Sequence, residues 1–197
     1  MTSRISKRIS DILLESLFIV FALLGALALE EWREDSERME LANRAKLAIE
    51  QELLANKKQL EDKLIKHNDM LKSLTKQLND YRAKGNQDAQ FDFNYPMATL
   101  TSSAWDTARM TQSAQFMQFE DVREFSMVYN FQSLYEDNQK KLIEMVMSIG
   151  NIRDEEFEPF TNSFIHRLTI LIDVNNLLRE AYTKTLDLEP DQTNEAI

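Results

Sequence analysis

Residues 12–29 read ILLESLFIVFALLGALAL, and residues 30–84 follow without one Gly or Pro. Those two facts decide the fold. The first run is 18 residues with a single charge, Glu15. As a helix at about 1.5 Å per residue it extends ~27 Å, close to a bilayer's hydrocarbon core. Because nothing breaks the helix after Leu29, the anchor is expected to run straight into a longer helix ending near Lys84. Trp32 stands one turn beyond the run, where an interfacial aromatic anchors a span. A cleaved signal peptide, suggested by Ala26-Leu27-Ala28, and a buried core helix are the competing readings. The unbroken continuation favours a retained signal-anchor over the first, and the length of the apolar run over the second.

Working outward, the second run carries an apolar stripe at Ile49, Leu53, Leu60, Leu64, Leu71, Leu74, Leu78 and Tyr81. Its steps of 3, 4 and 7 are helical. Gly85-Asn86 is a stop signal, and residues 85–98 hold a Gly, a Pro and a polar cluster, so they read as a loop. A short helix is expected over 102–115, a third over 120–149, stopped by Gly150-Asn151, and a fourth over 155–186. The fourth has the stripe Phe157, Phe160, Phe164, Leu168, Leu171, Asn175, Leu178 and Tyr182, close to a sustained heptad. Long amphipathic helices with short connections pack as a bundle. The expected fold is therefore all-α: an N-terminal transmembrane helix continuous with a long helix, packed distally into an antiparallel three- to four-helix bundle. The parts are a short basic tail (1–11), the transmembrane helix (12–29), a juxtamembrane helical neck (30–48), the bundle (49–187) and a flexible tail (188–197).

The whole chain has 197 residues, 33 Asp+Glu against 23 Lys+Arg, no Cys, 3 Gly and 3 Pro. Scarce Gly and Pro disfavour β-sandwiches and barrels. The missing Cys excludes disulfides, thiolate nucleophiles and Cys-bound zinc. The net charge of −10 disfavours nucleic acid, whose binding rests on Lys/Arg. By segment, 30–56 is net −4, 57–84 is net +4 and 85–197 is net −11. The later acidic helices should thus sit beside the basic far end of the first, above an acidic neck that is solvated or sheathed by neighbouring copies. Lys/Arg residues number three on each side of the span within 15 residues (Arg4, Lys7, Arg8 against Arg33, Arg38, Arg44). The count is tied; the short basic tail favours a cytoplasmic N-terminus and a periplasmic or extracellular C-terminal domain.

Chemistry is sparse. The two His, His67 and His166, fall on different helices, and neither has Glu three residues earlier, as a di-iron bundle requires. His67 lies in line with the leucines and reads as a packing residue; His166 sits on a polar face. No Gly-rich phosphate loop, G-x-S-x-G or H-E-x-x-H occurs. No catalytic, cofactor or metal residue is assigned. Glu15, inside an apolar span, either reaches headgroups or pairs with a partner helix. Ala22, Gly25 and Ala26 allow close helix approach. Trp105, set among Ala and Ser, packs into a bundle end or forms a ligand platform.

The anchor from Glu15 to Asp35 resembles uncharacterised single-pass bacterial membrane proteins, in which an acidic residue opens the span and a Trp in a charged cluster closes it. Leu100–Arg109 and the stretch Tyr129-Asn-Phe-Gln-Ser-Leu-Tyr135 look like the later part of such proteins. The resemblance implies a bacterial inner-membrane protein with a helical extramembrane domain, carries over Glu15, Trp32 and Trp105, and implies no activity. The expected function is a membrane-anchored, non-enzymatic scaffold or interaction protein, partnered by the lipid bilayer and by further copies of itself or another membrane protein. The runner-up is a sensor-like helical ligand-binding domain acting through a partner membrane protein, and an enzyme of unfamiliar type stands third.

Overall fold

The computed structural model describes residues 2–84, 91–151 and 154–187. The expected stop at Gly85-Asn86 and the flexible tail at 188–197 lie outside them. Helix α1 is Thr2–Lys84, α2 is Ser103–Met110, α3 is Phe119–Ser148 and α4 is Phe157–Thr185. Short 3₁₀ turns follow α2 (Ser113–Phe116), follow α3 (Ile149–Asn151) and precede α4 (Asp154–Glu156). The described residues contain no strand.

Cross-chain pairs give the directions. Between α1 and α3, Lys46 bonds Asp121 at 2.7 Å, Glu52 accepts from Tyr129 and Asn56 donates to the Gln132 side chain, so the two helices rise together. Arg82 meets Glu158 at 2.7 Å and Asn175 reaches the Leu60 carbonyl, so α4 descends. Helix α4 packs closely against both α1 and α3, whereas the backbones of α1 and α3 stay apart and are joined by those longer side-chain bonds. The space between those two is filled by the descending chain from Phe91 through α2 to Phe116. The result is an up-down-up-down bundle whose second member is half extended, half helical. The loop expected over 85–98 is thus, in its described part, a structural layer of the bundle. It cannot be helical because Pro96 bars its predecessor from the helical region and removes a donor.

Both apolar stripes behave as their periodicity requires. Ile49, Leu53, Leu60, Leu74 and Leu78 of α1 are buried, as are Phe164, Leu168, Leu171, Asn175, Leu178 and Tyr182 of α4. The far end is closed by a ring cluster in which Phe91 meets Phe157 (4.7 Å between centroids) and Phe93 meets Phe164 (5.2 Å), mostly edge to face. The basic tip of α1 does find the acidic later helices, through Arg82 and Glu158.

Below the bundle α1 stands alone, every described side chain from Leu14 to Leu41 being exposed. Its neck carries its own support. Arg33 pairs with Glu30 and Glu37, Arg38 with Glu34 and Asp35, and Arg44 with Glu40, all at helical i,i+3 or i,i+4 spacing. Each such pair stabilises a helix by about 0.2–0.5 kcal/mol. The bundle begins where the Arg38 guanidinium lies 5.6 Å over the Phe116 ring. Among the described residues no helix is long and apolar enough to cross a membrane. The described side chains start at Leu14, and the apolar run from there to Leu29 would extend only ~24 Å against a core of ~30 Å, with Glu15 inside it. The transmembrane part of the expected fold is therefore not carried by the described side chains; the all-helical bundle and the unbroken α1 are.

Candidate functional site

The polar residues of the core gather around the extended segment. A lone extended peptide exposes backbone donors and acceptors that must be paired when buried. Here side chains from both flanking helices do the work of a missing strand. Gln139 of α3 grips Ala98 twice, its Oε1 accepting from the Ala98 N–H at 2.8 Å and its Nε2 donating to the Ala98 carbonyl at 2.9 Å. Asn56 of α1 grips Thr101 in the same way, at 3.0 and 2.8 Å. Gln132 donates to the Thr101 carbonyl as well, at 3.2 Å. Its own Oε1 accepts from Asn56 at 3.1 Å and from the Tyr182 hydroxyl at 2.7 Å. One level higher, His67 Nε2 donates to the Pro96 carbonyl at 3.0 Å while the ring stacks on Tyr95 (5.1 Å, 5°).

The Pro96 bond fixes the histidine. A carbonyl only accepts, so the hydrogen of the neutral ring is on Nε2, and Nδ1 is left buried without a partner. Burial pushes the His67 pKa down to about 4, Lys63 adds to that, and the Pro96 bond opposes it only in part. Tyr135 lies in the same interior, with its hydroxyl beside Asn175 and Tyr95. Burial raises Tyr135 to about 12 and Tyr95 still further.

The segment's lower end is held by Glu52. Its carboxylate accepts from the Tyr129 hydroxyl at 2.6 Å, from the Ala104 N–H at 3.0 Å and from Ser103 Oγ at 2.8 Å, capping α2 from a different helix. Burial works against that charge, but the three hydrogen bonds outweigh it and hold the carboxyl below its usual range. Burial, and after it the same bond to Glu52, keeps Tyr129 far above the ordinary tyrosine value.

Trp105 is buried, stacked on Tyr129 (5.7 Å between centroids, 5°) and edge-on to Phe125. It serves the packing role, with one side turned to a hollow between α2 and α3. The other sequence-derived residues lie elsewhere. Glu15, Ala22, Gly25, Ala26 and Trp32 are all exposed on the lone part of α1, and a Cβ built on Gly25 meets no atom within 4 Å. The structure does not bring them to Trp105. His166 is exposed, His67 buried, and the two do not form one site. Among the described residues no three His, Cys, Asp or Glu are placed to hold a metal. Asn56, Gln132, Gln139 and Glu52 were not singled out by sequence reasoning. Compared with family models, with curated proteins and with solved structures, the chain matches none.

Proposed function

We propose that this protein is a single-pass, membrane-anchored, non-enzymatic interaction scaffold of the bacterial inner membrane, with the N-terminus cytoplasmic and the bundle outside. The observation that carries the reading is the continuity of α1. One helix, Thr2–Lys84, joins the apolar stretch at 12–29 to the bundle core with no hinge between them. Its ten large apolar side chains from Leu14 to Leu29 are each at least half exposed. A helix apolar all round is normally covered. Covering what remains exposed is worth roughly 1 kcal/mol per side chain, on the order of 10 kcal/mol together. With residues 12 and 13 included, the stretch reaches bilayer length, and lipid is the covering that its flanking Trp32 and basic tail suit.

On this reading the neck is a rigid strut, since its arginines are paired along the helix, and movement of the bundle is transmitted to the anchor and back. Gly25, with open space at its Cβ, suits a close second helix from another copy or a partner membrane protein. The resemblance at Glu15, Trp32 and Trp105 belongs to the same proposal.

The test is extraction of membranes at high pH. The natural chain is expected in the pellet, and a variant carrying Phe21→Lys with Leu24→Lys in the supernatant. Natural chain released by the alkaline wash sinks the anchor. Light scattering in mild detergent addresses assembly: a strict monomer with no co-purifying partner removes the scaffold.

A further inference from the structure

Beyond Leu29, six large apolar side chains of α1 stand exposed among the described residues: Trp32, Met39, Leu41, Leu47, Leu54 and Ile65. At about 100° per residue, five of them share one stripe roughly 80° wide, and Leu41 alone lies outside it. The bundle does not use that stripe. Its own contact face on α1, marked by Ala42, Ile49, Leu53 and Leu60, lies about 100° away around the helix. A helix that merely crosses solvent has no cause to gather its apolar residues on one line; a line of this kind faces another helix.

The stripe advances by 7, 8, 7 and 11 residues. Steps of 7 and 11 drift in opposite senses, so the line stays nearly straight over about 50 Å and a second straight helix can follow it throughout. Five such side chains, with the stems between them, offer on the order of 700 Å², close to the ~800 Å² that each partner of a stable interface buries. Asn43 stands in the same line, between Met39 and Leu47. Set against an apolar side chain, its amide is desolvated without a partner. Set against Asn43 of a second copy, parallel and in register, it donates and accepts at once. The acidity of the neck does not oppose this, because Glu30, Glu31, Glu34 and Glu37 point about 120° or more from the centre of the stripe. We propose that two copies of this chain pair in parallel and in register along this stripe of α1, outside the bundle. The pairing names the partner within the scaffold reading, and only the placing of both anchors in one bilayer rests on that reading.

The chain has no Cys, so single cysteine substitutions report cleanly. The full chain in neutral detergent, bearing Met39→Cys, Asn43→Cys, Leu54→Cys or Leu41→Cys one at a time, is exposed to mild oxidation. The first three should give disulfide-linked dimers and Leu41→Cys few, because a disulfide needs Cβ atoms about 4 Å apart. Self-linking at both Met39→Cys and Leu54→Cys, about 22 Å apart along the helix, requires a parallel pair in register. Light scattering should give twice the chain mass for the natural protein. Met39→Glu with Leu47→Glu should halve it and keep the helical circular dichroism, since both side chains point away from the core. The pairing is overturned by absence of links at the stripe positions, by equal linking at Leu41→Cys, or by a double variant that stays dimeric. Alkaline extraction reads the anchor separately. Chain that pellets but does not link refutes the pairing and keeps the anchor; chain that is released but links refutes the anchor and keeps the pairing.

Discussion

Acid should loosen this bundle through one side chain. His67 is fully buried, neutral, and holds the Pro96 carbonyl with the only hydrogen its neutral ring has. Its folded pKa is about 4, against roughly 6.5 in an unfolded chain. Between those values the unfolded state binds a proton that the folded state refuses. The folded value is depressed, so the stability tied to His67 is complete above about pH 6.5, falls as the pH drops and is fully lost below about pH 4. The full difference corresponds to about 3 kcal/mol, and the part between about pH 7 and pH 4.5 to about 2 kcal/mol. Glu52 adds a loss of its own at still lower pH, since its folded value is also depressed. The comparison must therefore be made against a variant that leaves Glu52 alone. His67→Gln keeps an N–H for Pro96 but does not titrate; it forfeits the stacking on Tyr95, a loss that does not change with pH. Urea unfolding of the full chain in neutral detergent, followed by circular dichroism at several pH values, gives both stabilities. The natural chain should lose about 2 kcal/mol more than His67→Gln over that range. Parallel stability curves for the two chains would refute the buried, neutral histidine.

Other perturbations test the clamp and the termini. Gln139→Leu leaves both the N–H and the carbonyl of Ala98 buried without partners, at a cost of about 1–3 kcal/mol each, and should lower the urea midpoint with little change in slope. Asn56→Leu does the same to Thr101, though Gln132 still serves the carbonyl, so its cost should be the smaller of the two. Phe93→Ala, at the centre of the aromatic cap, should cost about 3–5 kcal/mol by thermal unfolding. Asp187 ends α4 with φ of 51°, a left-handed position that Gly fills without strain, so Asp187→Gly should raise the unfolding midpoint by the equivalent of about 1 kcal/mol.

Most of the helical frame was legible because helices announce themselves locally. Absence of Gly and Pro carries α1 to Lys84, Glu120 and Asp121 mark the first turn of α3, and the heptad of α4 gives both its bounds and its buried face. The apolar run at 14–29 was legible as composition only, since its large apolar side chains are exposed on α1. What the sequence hid was the role of residues 91–102. Their pattern of Phe91, Phe93 and Tyr95 alternating with polar residues is that of a strand, but a strand needs a partner, and no second one can be found in the sequence.

The partner was nevertheless written into α1, as gaps. Its apolar stripe steps by 3 or 4 except at two places, Leu53 to Leu60 and Leu64 to Leu71, where it jumps by 7. Asn56 and His67 stand in those gaps, and both are buried. A polar residue at a core position of a helix costs stability unless something pairs with it, so two such residues on one stripe imply backbone or side-chain groups opposite them. Helix α3 repeats the device with Gln132 and Gln139, seven residues apart on its buried face. Four polar residues at core register on two helices are too many to satisfy one another across a helix–helix interface. They do match the spacing of donors and acceptors along an extended chain, which at about 3.3 Å per residue places Ala98 and Thr101 some 10 Å apart, near the rise of seven residues of helix. That correspondence explains why a non-helical segment is tolerated inside a helical bundle: the Gln132–Gln139 interval on α3 is the interval from Thr101 to Ala98. It also sets a rule for substitution. Replacing Gln139 alone strands the backbone of Ala98, whereas only a change that makes 91–102 helical and the four clamps apolar together would yield a conventional four-helix core.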